Sequence, residues 1–588
     1  MRRHGMLLCA LIACLFCVAA AETFANGGDY LLLATGRNDF GQLGMGYASG
    51  DPVSRFTRVP DMKNMAAISG GYVFSLALGE DGVVWGAGRC AQGQLGVGNN
   101  TDIDTFVSDS VLASVISAGD DHSLIWRSSD GAVLATGFND EGQLGLGDTA
   151  DRNSFTAVTI GATVTAVSAG GYHSLALDDT GKVWAAGRNT EGQLGLGDND
   201  RRMSFTLVTG PTNIVAISAG SYHSLLLDSD GHVWVAGKNL SGQLGLHDTA
   251  NRNTFVKVPD DDLANVVEIS AGGEHSLARL SDGTVMATGN NSQGACGFGE
   301  NTNWADWSYP LNATNAVGIS AGYVHSLICK EDGTAWATGA NGQGELGLGD
   351  TTDRFGFTQI PGLANVVALQ AGGYHSLALV PKHIQVTAPA AAGITIERGT
   401  TYPVTWESEG LPANAKVNIV LSDDVGNRWT LAAGVPNKGT WPWKVGSWKA
   451  KGQSVYLDYG NFRIEIGTVD GLNWDDSDNS FAIGTVESLF VAGLNDVNEG
   501  TTTSYTCTAN YNVGPSQDVT ALVKWRALSR NPKDPSRYQS CKYAVMQPGG
   551  QLITKAVSND QQIRVTAAYG NGKAAISNGR DVAIHDLP

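Results

Sequence analysis

Gly187-Arg188-Asn189-Thr190-Glu191-Gly192-Gln193-Leu194-Gly195 is a stretch that the chain repeats in near-constant form, and its recurrence decides the fold. The pattern Gly-x-Asn-x-x-Gly-Gln-Leu-Gly stands also at Gly36–Gly44, Gly137–Gly145 and Gly237–Gly245. Looser copies occupy Gly88–Gly96, Gly289–Gly297 and Gly339–Gly347, and successive copies lie 49 to 52 residues apart. A second marker, Ser-Ala-Gly-x-x-His-Ser-Leu, keeps step with the first. It carries His122, His173, His223, His275, His325 and His375, with Phe74 at the same place in the first copy. Between the markers lie short apolar runs such as Phe205–Val208, Val215–Ser218, Ser224–Leu227 and Val233–Ala236. Asp81-Gly82, Asp130-Gly131, Asp230-Gly231, Asp282-Gly283 and Asp332-Gly333 join pairs of runs, because Gly accepts the positive φ of a tight hairpin. Four strands in ~50 residues is one blade of a β-propeller.

The ends of the repeat region predict how the ring closes. The last copy stops after Ser376–Val380, while the chain's first apolar run, Tyr30–Gly36, is the partner strand that copy lacks. Pairing the two builds one blade from both ends and leaves no open sheet edge. The expected fold is therefore all-β: a seven-bladed propeller over residues 28–380, followed by two β-sandwich domains.

Both markers, recurring in register, resemble the regulator of chromosome condensation repeat family. The resemblance spans about residues 28–380 and implies a seven-bladed propeller. It does not imply one function, since members include a nucleotide-exchange factor for a small GTPase and secreted bacterial inhibitors of β-lactamase. After a linker at Pro381–Gln385, residues 386–484 resemble a fibronectin- or immunoglobulin-like module, carried by Pro403-Val404-Thr405-Trp406, Thr440-Trp441-Pro442-Trp443 and Phe462–Ile466. Residues 485–588 resemble a bacterial immunoglobulin-like domain through Tyr505, Cys507, Tyr511, Trp525 and Ile563–Tyr569.

Composition and the N-terminus place the chain outside the cytoplasm. Arg2 and Arg3, the apolar run Met6–Val18 and Ala19-Ala20-Ala21 have the form of an export signal over residues 1–21. A second reading takes Leu11-Ile12-Ala13-Cys14 as a lipoprotein box that leaves a lipid anchor on Cys14. The net charge of −19 argues against a nucleic-acid partner, which requires clustered Lys and Arg. No later stretch has the length and apolarity of a transmembrane segment. The expected location is secreted, periplasmic or on the surface of a bacterium. Cys507 and Cys541 are the candidate disulfide; Cys90, Cys296 and Cys329 read as isolated thiols.

Catalytic candidates are few. The six His occupy one repeat position, so a structural role is expected rather than a metal or acid–base cluster. The spacings Asp148–Arg152, Asp198–Arg202, Asp248–Arg252 and Asp350–Arg354 read as ion pairs stapling a loop, and Asp475–Asn479 as a solvated turn rather than a calcium loop. No catalytic or phosphate-binding motif appears, and no cofactor or metal is expected. The sixth repeat breaks pattern at Asn303-Trp304-Ala305-Asp306-Trp307-Ser308-Tyr309, which makes Trp304, Trp307 and Tyr309 the candidate binding residues. The expected function is non-enzymatic recognition of a protein or cell-surface glycan. The alternatives are a hydrolase with its site in the propeller channel and, by family analogy, a guanine-nucleotide exchange factor.

Overall fold

The computed structural model describes residues 30–382 continuously and, beyond them, the strands and some connections between residues 384 and 585. The chain divides into two compact units, residues 1–382 and 383–588. Among the described residues of the first unit there are seven four-stranded antiparallel sheets. In the fourth of them the strands are Val164–Ala169, His173–Asp178, Val183–Gly187 and Arg202–Leu207, running from inside to outside. The innermost strands pack in a closed circle, from Met65–Gly70 through Val115–Ala118, Val164–Ala169, Ile214–Ala219, Val266–Ala271, Ala316–Ala321 and Ala368–Ala371 back to the first.

The ring closes as the sequence ends imply. Tyr30–Asn38 pairs antiparallel with His375–Pro381, in register from Tyr30 opposite Pro381 to Gly36 opposite His375. Leu32, Leu33, Ala34, Leu377 and Leu379 are wholly buried there. The composite blade thus has the same four strands as its neighbours, two of them from near the start of the described chain.

The markers code for the joints between blades. In six of the seven loops, all but the one with Cys90, the Asn is a hub: Asn189 Oδ1 accepts the Leu194 N–H at 3.0 Å and its Nδ2 donates to the Asp198 carbonyl at 2.9 Å. Gln193 Oε1 accepts the Glu191 N–H at 3.1 Å. The closing Gly has φ near +70° and lies under an aromatic ring from the next blade's outer strand, where a Cβ would collide: Phe205 over Gly145, Phe255 over Gly195, Trp307 over Gly245, Phe357 over Gly297. Each Asp–Arg spacing is an ion pair of 2.6–2.7 Å inside one loop.

The His–Ser pair of the second marker forms the deeper joint. Each Ser Oγ donates to a loop carbonyl of the preceding blade, as Ser174 does to Gln143 at 2.7 Å and Ser224 to Gln193 at 2.7 Å. That hydroxyl has one proton, so it accepts from the imidazole beside it, and the Nε2–H tautomer follows. The contacts His122–Ser174, His173–Ser224, His223–Ser276, His275–Ser326, His325–Ser376 and His375–Ser75 are all 2.8–2.9 Å and all cross from one blade to the next. Phe74 has no nitrogen to offer Ser123, so that seam lacks the bond. Burial holds the imidazoles neutral, pushing His122, His173, His223 and His325 down to about 3 and His275 and His375 to about 4.

In the second unit, strands Ile384–Ala388, Thr401–Ser408 and Thr440–Lys444 form one sheet. Thr395–Glu397, Phe481–Gly484, Asn461–Thr468, Lys416–Asp423 and Arg428–Pro436 lie in another. Val386, Val404, Trp406, Trp443, Ile419, Leu421 and Ile464 from both sheets share one core. Among the described residues, every strand pairing stays within residues 384–484 or within 486–585. Cys507 lies on the strand Thr506–Tyr511, whereas Cys541, residues 1–29 with Cys14, and Asp478 and Asn479 lie outside the described residues.

Candidate functional site: the channel face

Antiparallel strand order sends two kinds of connection to the same end of the propeller. The turn from the innermost to the second strand, which carries the two variable residues before each His, emerges beside the Gly-x-Asn loop. Backbone bonds lock them together: the N–H of Arg37, Arg89, Phe138, Arg188, Lys238, Asn290 and Ala340 donates to the carbonyl of the residue just before each His or Phe74, at 2.8–3.0 Å. One end of the channel is therefore framed by variable residues on a constant frame.

Those variable residues are largely aromatic and cationic. Tyr72, Tyr323 and Tyr374 form one cluster, with ring centroids 5.1, 5.4 and 6.1 Å apart. Tyr172 and Tyr222 stack at 5.7 Å, with Phe138 edge-on to Tyr172 at 6.4 Å. Arg188 lies over both stacked rings, Lys238 over Tyr222, and Arg37 over Phe40 and Tyr374, each 5.1–5.8 Å from a centroid. The cations are also paired with acids: Arg37 with Asp39 at 2.6 Å, Arg188 with Glu191 at 2.9 Å, Arg89 with Asp121 at 3.9 Å, and Lys238 with Glu274.

At the centre, the channel mouth is a cavity of about 80 Å³ lined by the seven turns. Its lining is Gly and Ala except for Tyr72, Tyr323, Ser221 and Asp120. Burial, and then the neighbouring Asp121 charge, pushes the Asp120 carboxyl up to about 7. The Asp120 charge in turn reaches Tyr72, Tyr172, Tyr222 and Tyr323, whose phenols are raised chiefly by their own burial.

The three aromatics expected to form a site do not meet on one surface. Trp307 is 6% exposed and is the sixth blade's core plug, aligned with Phe205 and Phe255, so its assignment to a binding surface is corrected. Trp304, three residues away on the same strand, faces the other way. It packs on Phe298 at 5.3 Å and donates from Nε1 to Glu300 at 2.9 Å. Tyr309 is 65% exposed just past the far end of the strand Trp304–Ser308, ~16 Å along the chain from Trp304. Asp228, Asp230 and His232 lie close enough to suggest a metal, but the Asp228 carboxylate is already taken by two backbone N–H groups and Trp234 Nε1. Asp178 makes the same contacts with Thr180, Lys182 and Trp184, which identifies the feature as a turn staple.

A sequence signal for the channel face existed in the two x positions of Ala-Gly-x-x-His. Their Tyr and acid content is not needed for the blade, since Gly and Val stand there in other copies.

Family models of the regulator of chromosome condensation (RCC1) repeat match residues 130–177, 180–227, 230–279 and 332–379, and a second such model matches 164–193, 214–243, 266–295 and 316–345. Yeast RCC1 (Prp20), solved with Kap60, is 22% identical; the match covers 60% of this chain and 89% of that one, with a TM-score of 0.55. Human WBSCR16 is likewise 22% identical over 60% of this chain and 99% of its own, with a TM-score of 0.55. No helix among the described residues is long and apolar enough to cross a membrane. This chain carries RCC1 repeats, folded into an all-β propeller of the kind seen in yeast RCC1.

Proposed function

We propose that the chain is an exported recognition protein that seats a protein partner on the channel face of its propeller. The observation that carries this reading is the concentration there of Tyr72, Tyr172, Tyr222, Tyr323, Tyr374, Phe40 and Phe138, held half-buried on a rigid frame. Rigid aromatic platforms rimmed by paired charges are the composition of binding hot spots. The yeast propeller solved with Kap60 is a precedent for a protein partner. Export rests on residues 1–21 of the sequence, and the two β-modules over 386–484 and 485–588 act in this reading as an immunoglobulin-like spacer. A hydrolase is disfavoured because the six imidazoles are sealed in the seams, leaving Asp120 without a partner acid or base in the channel lining.

The test uses a partner captured by the full chain and then purified. Tyr222→Ala should weaken its binding at least tenfold without lowering the melting temperature, while Tyr309→Ala leaves it unchanged. Undiminished binding to folded Tyr222→Ala refutes the assignment of this face.

A further inference from the structure

Asp120 is out of place. The equivalent positions in the other six turns hold Tyr72, Gly171, Ser221, Gly273, Tyr323 and Gly373, all neutral. Asp120 is the one charged residue in the cavity lining, and nothing that lowers a carboxyl's pKa acts on it, neither hydrogen bond nor cation. The nearby Arg37, Arg89, Arg188 and Lys238 are each engaged with another acid. A half-buried carboxylate left unpaired costs stability, so its persistence at the centre of a binding face points to a charge that arrives from outside.

Size and surroundings narrow that charge. A cavity of about 80 Å³ is smaller than the ~150 Å³ hole that holds benzene, so it excludes a sugar ring or a nucleotide but admits one small head group. A hard metal ion is a poor fit, because it needs about six or more oxygens. Here one carboxylate is present, and the carbonyls of Gly71, Gly170, Gly220, Gly272, Gly322 and Gly372 already accept N–H groups of adjacent turns at 2.9–3.2 Å. Tyr72 and Tyr323, with ring centroids 5.1 Å apart in the lining, instead supply aromatic rings, which attract organic cations.

We propose that the channel mouth is a socket for one basic side chain of the protein partner, a lysine ammonium or an arginine guanidinium that enters along the axis, pairs with Asp120 and lies against Tyr72 and Tyr323. The socket rests on the assignment of the channel face and adds the chemistry of its central contact. The ionisable groups facing Asp120 are Asp121, Tyr72, Tyr172, Tyr222 and Tyr323. The tyrosines stay neutral across the accessible range, so the two carboxyls are the groups that titrate. Asp121, raised by burial, is held against Arg89, and Asp120 is the one in the lining that meets the incoming cation. Because the Asp120 carboxyl stands at about 7, the cation competes with a proton, and affinity should fall about tenfold per pH unit below neutrality.

The probes are n-butylammonium and n-butylguanidinium, with butyramide as the neutral control and tetramethylammonium as the bulkier quaternary head. Binding to the full chain is followed by nuclear magnetic resonance or calorimetry. Saturable binding of either butyl cation at pH 8, absent with butyramide and weaker with tetramethylammonium, is expected. It should weaken at least tenfold by pH 6 and at least tenfold in Asp120→Asn at pH 8. The wild-type pH profile stands as a test if that variant does not fold. No saturable binding at pH 8, a flat pH profile, equal binding of the neutral control, or equal binding to folded Asp120→Asn overturns the socket. A partner that loses affinity in Tyr222→Ala but not in Asp120→Asn also overturns it, while leaving the channel face in place as the recognition surface.

Discussion

Replacing Glu345 with Gln should stabilise the propeller, and by an amount that grows with pH. Glu345 stands where other loops carry Gln42, Gln94, Gln143, Gln193 and Gln243, and it is 1% exposed. Its Oε2 accepts the Gln343 N–H at 2.7 Å, as the Gln Oε1 atoms accept theirs at 3.0–3.1 Å. The amide therefore keeps the loop's hydrogen bond and removes the ionisation, while adding a buried Nε2 of the kind that stands without a partner at Gln42, Gln143 and Gln243, a cost that does not vary with pH. Burial, with a smaller push from Asp353, raises the carboxyl from 4.5 to about 7. The folded state thus holds its proton longer than the unfolded chain. Near pH 4 both states are largely protonated and burial of the group costs little. As pH rises the unfolded chain ionises first, and the folded state loses relative stability until its own carboxyl ionises near 7. That interval corresponds to a penalty of ~1 kcal/mol at pH 5 and ~3 kcal/mol at pH 8. Any pH-independent effect of the amide cancels in the difference, so Glu345→Gln should gain ~2 kcal/mol more at pH 8 than at pH 5. Denaturant unfolding of the full chain, following the propeller transition, measures both values. A gain equal at the two pH values, or a loss at pH 8, refutes the placement of a buried ionisable group there.

Acidification should act in the opposite sense through the six seam histidines. Their pKa values are lowered on folding, so stability is present above about 6.5 and is lost as pH falls toward 4. Proton uptake on unfolding at pH 5 should amount to several protons, and uptake below one would contradict the neutral, Nε2–H assignment. Trp307→Ala should cost ~3–5 kcal/mol because it empties the plug over Gly245, whereas Trp304→Ala, at a partly exposed ring, should cost less than ~1 kcal/mol; equal melting of the two variants would mean that the plug does not bear on stability. Arg152→Ala breaks an exposed pair inside one loop and should leave the unfolding midpoint nearly unchanged; a large drop would show that the pair holds more than its own loop. Deleting residues 30–36 strips the partner from His375–Pro381 and should abolish cooperative melting of the propeller; a normal transition would show that closure does not depend on this strand.

The blade architecture was legible because each marker residue acts locally or on the adjacent copy. Asn189 and Gln193 bond within their own loop, His173 reaches Ser224 in the next blade, and the spacing of ~50 residues carries the rest. The composite blade was legible because a strand was missing at one end and spare at the other. The channel face was not, since Tyr72 and Tyr374 are 302 positions apart and meet only after the ring closes. Of the expected residues Trp304, Trp307 and Tyr309, Trp307 turns out to be a plug for a reason visible in the strand itself. Side chains alternate along a strand, so positions three apart face opposite ways, and Trp307 aligns with the Phe that every neighbouring blade buries. Aromatic density in sequence marked a plug with a partly exposed ring beside it.

The weld between Tyr30–Asn38 and His375–Pro381 also sets when the protein becomes itself. Synthesis runs from the N-terminus, so the first strand is made hundreds of residues before its partner exists. The six blades between can stack in order, each on the last, in the manner of an open array. The first strand meanwhile keeps an unpaired edge, and closing a loop of this length costs ~5 kcal/mol of chain entropy. Folding should then end in a slow, late step that the final strand triggers, and until it occurs the growing ring is exposed to edge-to-edge association with other chains.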